Sequence, residues 1–335
     1  MPISIFHDWF SNKIISEKTP LHASIIRIQD WVSSPKCSFT IDRITSFPTN
    51  PLVTPKSSLT LGKNINGPSL IKVPDWVEDK LGRYYLYFAH HKGKHIRMAY
   101  SDMLEGPWKV YEPGVLHLTD TPGFNDHLAS PDVHVLEDER RIRMYFHGAR
   151  PTIDRQETGI AHSHNGLQFS GEDRSVGKFY FRVWNYKGVH FALAKNYRSG
   201  WSQLYTSLDG GISFKPGRKL LRRARHTAVM VIDDNLLIFF SRVGDCPERI
   251  LLTSIDMRKA IDSWQPSRPI EVLRPNDANE GIDCPMQPSL HGAQTNVCQL
   301  RDPCVFSDSG RIFLFYSIRG EVGISGVELR LHKQN

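Results

Sequence analysis

The stretch "SPDVHVLEDERRIRMYFHG", Ser130 to Gly148, decides the fold. Its first half alternates apolar and polar residues, its centre is a charged turn from Glu137 to Arg140, and its second half alternates again through Tyr145 and Phe146. Period-two alternation on either side of a short polar turn is the signature of an antiparallel hairpin. The second strand ends in His147, and the equivalent strand "RYYLYFAHH" ends in His90 and His91. Titratable rings placed at strand ends require a polar destination.

Outward from this hairpin, the same unit recurs. The first copy reads "PSLIKV", "RYYLYFAHH", "IRMAYSD" and "GPWKVY"; the second adds "TGIAHSHNG" and "LQFS" to the hairpin above. The third reads "KFYFRV", "VHFALA", "SQLYTSLDGG" and "SFKP", and the fourth "TAVMVI", "NLLIFFSR", "RILLTSIDM" and "PIEVL". The fifth has only three strands, "DPCVFSDSG", "RIFLFYSIRG" and "VGISGVELRL". The first strands begin near residues 68, 131, 179, 227 and 303, a spacing of about 50 with one longer interval.

Four antiparallel strands per copy, repeated radially so that sheet edges are protected, make an all-β five-bladed β-propeller. A pair of sandwiched sheets leaves the five copies of one motif unexplained. The blades fall near 66–118, 127–171, 176–221, 225–275 and 299–332, in a single domain. Because the fifth copy lacks an outer strand, the ring is closed by an N-terminal strand from residues 1–60, with "ASIIRIQ" or "NPLVTP" as candidates. "FHDWFSNKII" reads as a short amphipathic helix outside the ring. Residues 276–298, rich in Pro, Gly and Asn, form a long loop expected to cover part of one face.

Composition narrows the function classes. The apolar fraction of 40% and charged fraction of 23% are those of an ordinary globular chain. No apolar run reaches membrane-spanning length, and the first residues carry neither a basic leader nor an apolar core, which implies a cytoplasmic protein with no membrane partner. The five cysteines, Cys37, Cys246, Cys284, Cys298 and Cys304, lack metal-site spacing and read as free thiols. The net charge is +7, but the basic residues are dispersed apart from "GRKLLRRARH". Nucleic acid would require a basic stripe interleaved with aromatics, so this cluster reads as a solvated face or anion-binding rim.

In a propeller, the start of each inner strand and the end of the next lie on one rim around the axis. That rim collects His90 and His91 from the first blade, and Asp126, His127, Ser130, Asp132 and His147 from the second. It adds Arg182 from the third, Arg225, His226, Arg242 and Glu248 from the fourth, and Arg301, Asp302 and Glu321 from the fifth. Any one of these residues would ordinarily be a structural hydrogen-bonding group. Their convergence is what points to a binding site.

"LRDPCVFSDSGRIFLFYS", "SPDVHVLEDERRIRMYFHG" and "MAYSDMLEGPW" resemble motifs of the five-bladed propellers of the arabinanase, β-xylosidase, levansucrase and invertase superfamily, typified by glycoside hydrolase family 43. The resemblance covers roughly residues 60–332. It implies carbohydrate chemistry on the axial rim. It also implies an aspartate base at the first inner strand, a second aspartate at the next and a glutamate acid on the third. Those positions fall here on Asn66-Gly67, on Ser130, and on "KFYFRV", which has no glutamate. The resemblance further implies a structural cation in the central channel, with His226 as its ligand. No cofactor is required, and the spacing shows no metal-ligand set.

Glycosidic cleavage needs one protonated and one ionised carboxyl. The rim offers Asp302, Asp132 and Glu248 for these roles, with His91 and His226 able to replace one acid. Arg182, Arg225 and Arg301 suit an anionic group on the substrate, and His90, Asp126, His127, Ser130, His147, Arg242 and Glu321 complete the candidate binding surface. The expected function is hydrolysis of a small saccharide or glycoconjugate, neutral or anionic. A non-catalytic saccharide-binding propeller, and a lyase or transferase on the same fold, are the alternatives.

Overall fold

Each copy of the repeat forms one antiparallel sheet, and the sheets are arranged as five blades around an axis. The computed structural model describes residues 34–151, 155–196, 200–290 and 292–334. Blade 1 comprises Asn66–Lys72, Tyr84–Ala89, His95–Ser101 and Lys109–His117 from inside to outside. Blade 2 comprises Asn125–Leu136, Arg141–Arg150, Arg155–Ser163 and the short Gly177–Lys178, with Ser170–Gly171 also pairing to its third strand. Blade 3 runs Arg182–Tyr186, Val189–Asn196, Trp201–Ser207 and Lys215–Arg222; blade 4 runs Ala224–Ile232, Asn235–Arg242, Ile250–Asp256 and Ile270–Leu273. Blade 5 contains Arg301–Asp308, Arg311–Ile318 and Gly323–Lys333.

The fourth strand of blade 5 is Phe39–Ser46, paired antiparallel to Gly323–Lys333 from Phe39 opposite Lys333 to Ser46 opposite Val327. Ring closure by an N-terminal strand is therefore present, but neither candidate segment supplies it. "NPLVTP" contributes only an isolated bridge from Val53 to Ile324, while "ASIIRIQ" and the helix expected at "FHDWFSNKII" lie outside the described residues.

The alternation in the sequence divides each blade between its two neighbours. In Tyr84–Ala89, Tyr85, Tyr87 and Ala89 pack with blade 2, and Tyr84, Leu86 and Phe88 with blade 5. Both faces of the blade are covered, so the strand reads as a continuous apolar run. Five apolar clusters result, one in each seam between adjacent blades.

Near the axis the pattern changes. Inner strands slip register between Asn66 and Ser69, Ala129 and Asp132, Ala224 and Thr227, and Arg301 and Cys304. Gly67, Ser130 and Asp302, inside three of these bulges, have φ of 63°, 47° and 49°, and Tyr180, just before the blade 3 inner strand, has 63°. Bulges re-aim side chains, and here they turn polar groups toward the axial mouth.

Phe39 is 3% exposed in the seam between blades 4 and 5, whereas Ile44 on the same strand is 37% exposed. Phe39→Ala should lower unfolding free energy by ~3–5 kcal/mol and Ile44→Ala by less than about 1 kcal/mol, measured by denaturant titration. Equal losses would show that the closing strand is not anchored through its buried face.

Candidate functional site

Arg301 stands at the start of the blade 5 inner strand and is fully buried. Its Nε lies 3.0 Å from Glu248 Oε2, and its Nη1 donates to Glu321 Oε1 at 3.2 Å. Nε and Nη2 both donate to Gln299 Oε1, at 3.0 and 2.6 Å. The remaining donors reach the long loop, at Gly292 O and Gln294 Oε1. Glu248 also accepts from Arg225 Nε at 2.9 Å, and Arg225 Nη2 donates to Ser289 O and Oγ at 2.6 and 2.8 Å. Ser289, Gly292 and Gln294 of the long loop thus reach the mouth, and the two guanidinium groups hold them there.

Two carboxyls beside this network are driven in opposite directions. Glu321, in the turn after Arg311–Ile318, accepts from Asn64 Nδ2 at 2.8 Å and Asn66 Nδ2 at 3.1 Å. Burial, reinforced by the negative charge of Asp302, pushes its carboxyl up to about 7. Asp302 is equally enclosed, which alone would raise its value. The contact between its Oδ1 and His226 Nδ1, the nearby Arg301 charge and the Ser317 hydroxyl, donating at 3.0 Å, together hold it well below the usual carboxylate range. Gly67 N donates to Asp302 Oδ2 at 3.4 Å, next to the Asn66 amide that holds Glu321.

Rings surround these carboxyls. Tyr180 stands edge-on between His147 and His226, with centroids 4.5 and 4.4 Å away. His127 packs 5.7 Å from His147, and its Nδ1 lies 2.9 Å from Asp126 Oδ2. His91 Nδ1 lies 3.9 Å from Glu321 Oε2, and its backbone N–H donates to Asn64 Oδ1 at 2.8 Å. Burial and the His127 ring bring His91 down to about 4, and burial holds His147 well below the ordinary histidine value and His226 below it. Lys195, with Nζ 5.7 Å from the Tyr180 ring centroid, is brought down to about 7 by burial and the Arg225 charge.

The structure therefore gathers Asp302, His226, Glu248, Arg225, Arg301, Glu321 and His91 into one network, with His127 and His147 beside it. Other candidates lie apart from its hydrogen bonds. Asp132 accepts from Val183 N and pairs with His134, each at 2.9 Å or less, which ties blade 2 to blade 3. Arg182 donates to the carbonyls of Phe181 and Ser130, and Ser130 has its bulged backbone beside Gly67. Arg242 pairs with buried Asp245 at 3.1 Å, and His90 Nδ1 contacts the His91 carbonyl at 2.6 Å. Asp126 remains exposed. Asn64, Gln299, Ser317 and Lys195 carried no rim signal in the sequence, whereas Tyr180 stands at an inner-strand start, a rim position in the repeat. Among the described residues, no group of three or more His, Cys, Asp and Glu side chains is arranged to hold a metal.

The lowered histidine values fix a pH dependence. Stability contributed by neutral His91, His147 and His226 is full above 6.5 and is lost as pH falls, for His91 toward 4. Glu321 acts oppositely, its contribution being lost as pH rises from 4.5 to 7. Three rings outweigh one carboxyl, so the thermal midpoint should drop on acidification from about pH 7.5 to about pH 5. His147→Phe should flatten that slope, and an unchanged slope would show that His147 is not buried as a neutral ring.

No family model matches this chain. An uncharacterised protein of Acanthamoeba polyphaga mimivirus is 33% identical over 325 residues, covering 85% of this chain and 90% of that protein. Among solved structures, a glycosyl hydrolase from Bacteroides ovatus superposes with a TM-score of 0.64 at 11% identity, covering 88% of this chain and 96% of that one. A GH43_1 enzyme from Xanthomonas citri complexed with xylotriose gives 0.58 at 15% identity, covering 81% and 89%, and a β-xylosidase gives 0.56 at 15%, covering 80% and 93%. No helix among the described residues is long and apolar enough to cross a membrane. The chain belongs to one family with the mimivirus protein, and its fold is the five-bladed propeller of the family 43 glycoside hydrolases.

Proposed function

We propose that this protein is a cytoplasmic glycoside hydrolase acting on a small saccharide or glycoconjugate, with Glu321 as proton donor and Asp302 as the ionised carboxylate. One observation carries the reading: adjacent residues, Asn66 and Gly67, hold two carboxyls whose surroundings drive their proton affinities apart. Such divergence separates an acid from a base within one site. Glu321 retains its proton close to neutrality and can protonate a departing glycosidic oxygen. Asp302, kept ionised by His226 and Ser317, can activate water or attack the sugar carbon. The solved neighbours include a xylosidase and an enzyme complexed with xylotriose, which supports a saccharide as ligand.

The anionic component of the substrate loses its motive. Arg182, Arg225 and Arg301 direct donors at protein oxygens, the last two at carboxylates and loop carbonyls. A neutral sugar fits this arrangement better.

A second reading, a saccharide-binding propeller without turnover, is favoured by a specific feature. Gly67 and Ser130 stand where the family resemblance places two aspartates, and Asp302 and Glu321 are only 2% and 3% exposed.

A panel of aryl glycosides and short oligosaccharides separates the two. Hydrolysis should decline through an alkaline limb near pH 7, set by the Glu321 proton. Glu321→Gln should abolish that limb and lower kcat by ~10²–10⁴-fold, with saccharide binding retained in calorimetry. Saturable binding by the native chain without product would establish the second reading, and neither binding nor turnover would refute both.

A further inference from the structure

The residues that close the axial mouth begin and end in cysteine. The loop from Cys284 to Cys298 spans 15 residues and contains Ser289, Gly292 and Gln294, the groups that Arg225 and Arg301 hold. The two ends of this strap lie side by side: Cys298 N donates to Pro285 O at 3.1 Å, and Gln299 Nε2 donates to Gln287 O at 3.2 Å. Cys284 is half-buried and Cys298 is fully buried. Cys246, exposed, is the third thiol of the cluster, one residue beyond Asp245, whose carbonyl accepts from Ser289 N at 3.2 Å.

Beyond these anchors the strap's C-terminal half is held by a bridge from Thr295 to Gly320, a bond from Val297 N to Arg319 O and the buried Val297 side chain. Its N-terminal half is thinly attached, with Met286 and Leu290 60% and 59% exposed. Its closure depends on polar contacts at the mouth and on how its two ends are held together. A covalent link at the base would leave the mouth contacts intact while sharply restricting the open conformations available to the strap.

We propose that Cys284 and Cys298 form a modification site: a reversible disulfide that joins the base of the strap and locks it over the axial mouth. With oxidised glutathione as oxidant, the Cys284 thiolate attacks one glutathione sulfur and expels a glutathione thiolate, leaving a mixed disulfide on Cys284. The Cys298 thiolate then attacks Cys284 Sγ and expels the second glutathione thiolate. Two protein thiols are oxidised, one glutathione disulfide is reduced to two thiols, and the two thiol protons pass to solvent and glutathione. Cys284 reacts first because it is the more accessible of the pair. Burial pushes both thiols up, with Cys284 the foremost neighbouring group doing so for Cys298, and the reaction therefore accelerates as pH rises. None of this depends on the mouth turning over a sugar.

The sequence makes the test clean. Trypsin leaves Ala260–Arg301 as one peptide, since Arg268 and Arg274 each precede proline, and puts Cys246 in the separate peptide Val243–Arg249. The full chain is incubated with reduced or oxidised glutathione, its remaining thiols are blocked, and it is digested with trypsin and then with chymotrypsin, which cuts after Leu290. The two halves of the strap should remain joined in the oxidised native chain and in Cys246→Ser, and separate in Cys284→Ser and after reduction. Hydrogen exchange of the Gly244 and Ser289 amides, both bonded across the strap, should slow by at least ~10-fold on oxidation in the native chain and not in Cys284→Ser. A link from Val243–Arg249 to the strap, glutathione adducts with no internal link, or a link that leaves amide exchange unchanged would each overturn the proposal.

Discussion

A guanidinium group with no solvent exposure is costly to bury, and the mouth of this propeller is organised around satisfying one. Arg301 reaches Glu248 from blade 4, Glu321 from its own blade, Gln299 just before its strand, and two residues of the covering loop. Dehydrating such an ion is tolerable only when its donors are met in good geometry, and deleting one member of the set leaves the others as buried, unpaired charges. Glu248 must stand between Arg225 and Arg301, Glu321 must face the mouth, and the loop must fold inward. The positions of the candidate catalytic groups follow from that requirement.

The blade 1 bulge is where this mouth departs from the pattern implied by its resemblance to glycosidases. At Gly67 the chain takes φ +63°, and an added Cβ would meet Ser130 Cα at 3.4 Å. That is ordinary contact, and Asp302 itself takes φ 49° in the matching bulge of blade 5, so the glycine leaves the position without a carboxylate rather than forbidding one. Its place is taken from the opposite side, where Asp302 of blade 5 reaches the Gly67 N–H and Glu321 reaches the Asn66 amide. The acidic groups have in effect moved one seam around the ring, and His226 on the adjoining blade follows Asp302.

The repeat was legible because the second strand of each blade is buried on both faces by its neighbours, so it had to be written as an apolar run closed by turn residues. The closing strand was not. Phe39–Ser46, "FTIDRITS", buries Phe39 but exposes its last five residues, and an edge strand with one solvated flank carries little apolar periodicity. Strand ends brought His91, His226, Arg301, Asp302 and Glu321 together from sequence alone. Asp132 was misplaced for a local reason: it stands just past the register slip, paired opposite Tyr145, and its carboxylate accepts from Val183 N in the seam between blades. Lys195 and Asn64 lie on a second strand and in a connecting loop, where no repeat position marks them.

Charge balance constrains what the mouth can receive. Arg225 and Arg301 are set against Glu248 and Asp302 within the network, while burial drives Lys195 and Glu321 toward their neutral forms. Burial drives the rings of His91, His147 and His226 toward the neutral form, helped by neighbouring rings at His91 and His147 and by Lys195 and Arg225 at His226. Adding a charge to so dehydrated a set would leave some member without its partner. A ligand arriving there must instead replace the oxygens that the covering loop now presents, Ser289 O and Gly292 O, with oxygens of its own. Sugar hydroxyls do this without altering the charge, because each can accept from a guanidinium while donating to a carboxylate. On the proposed function, the loop carbonyls and a saccharide would compete for the same two arginines, which would couple opening of the loop to occupation of the mouth.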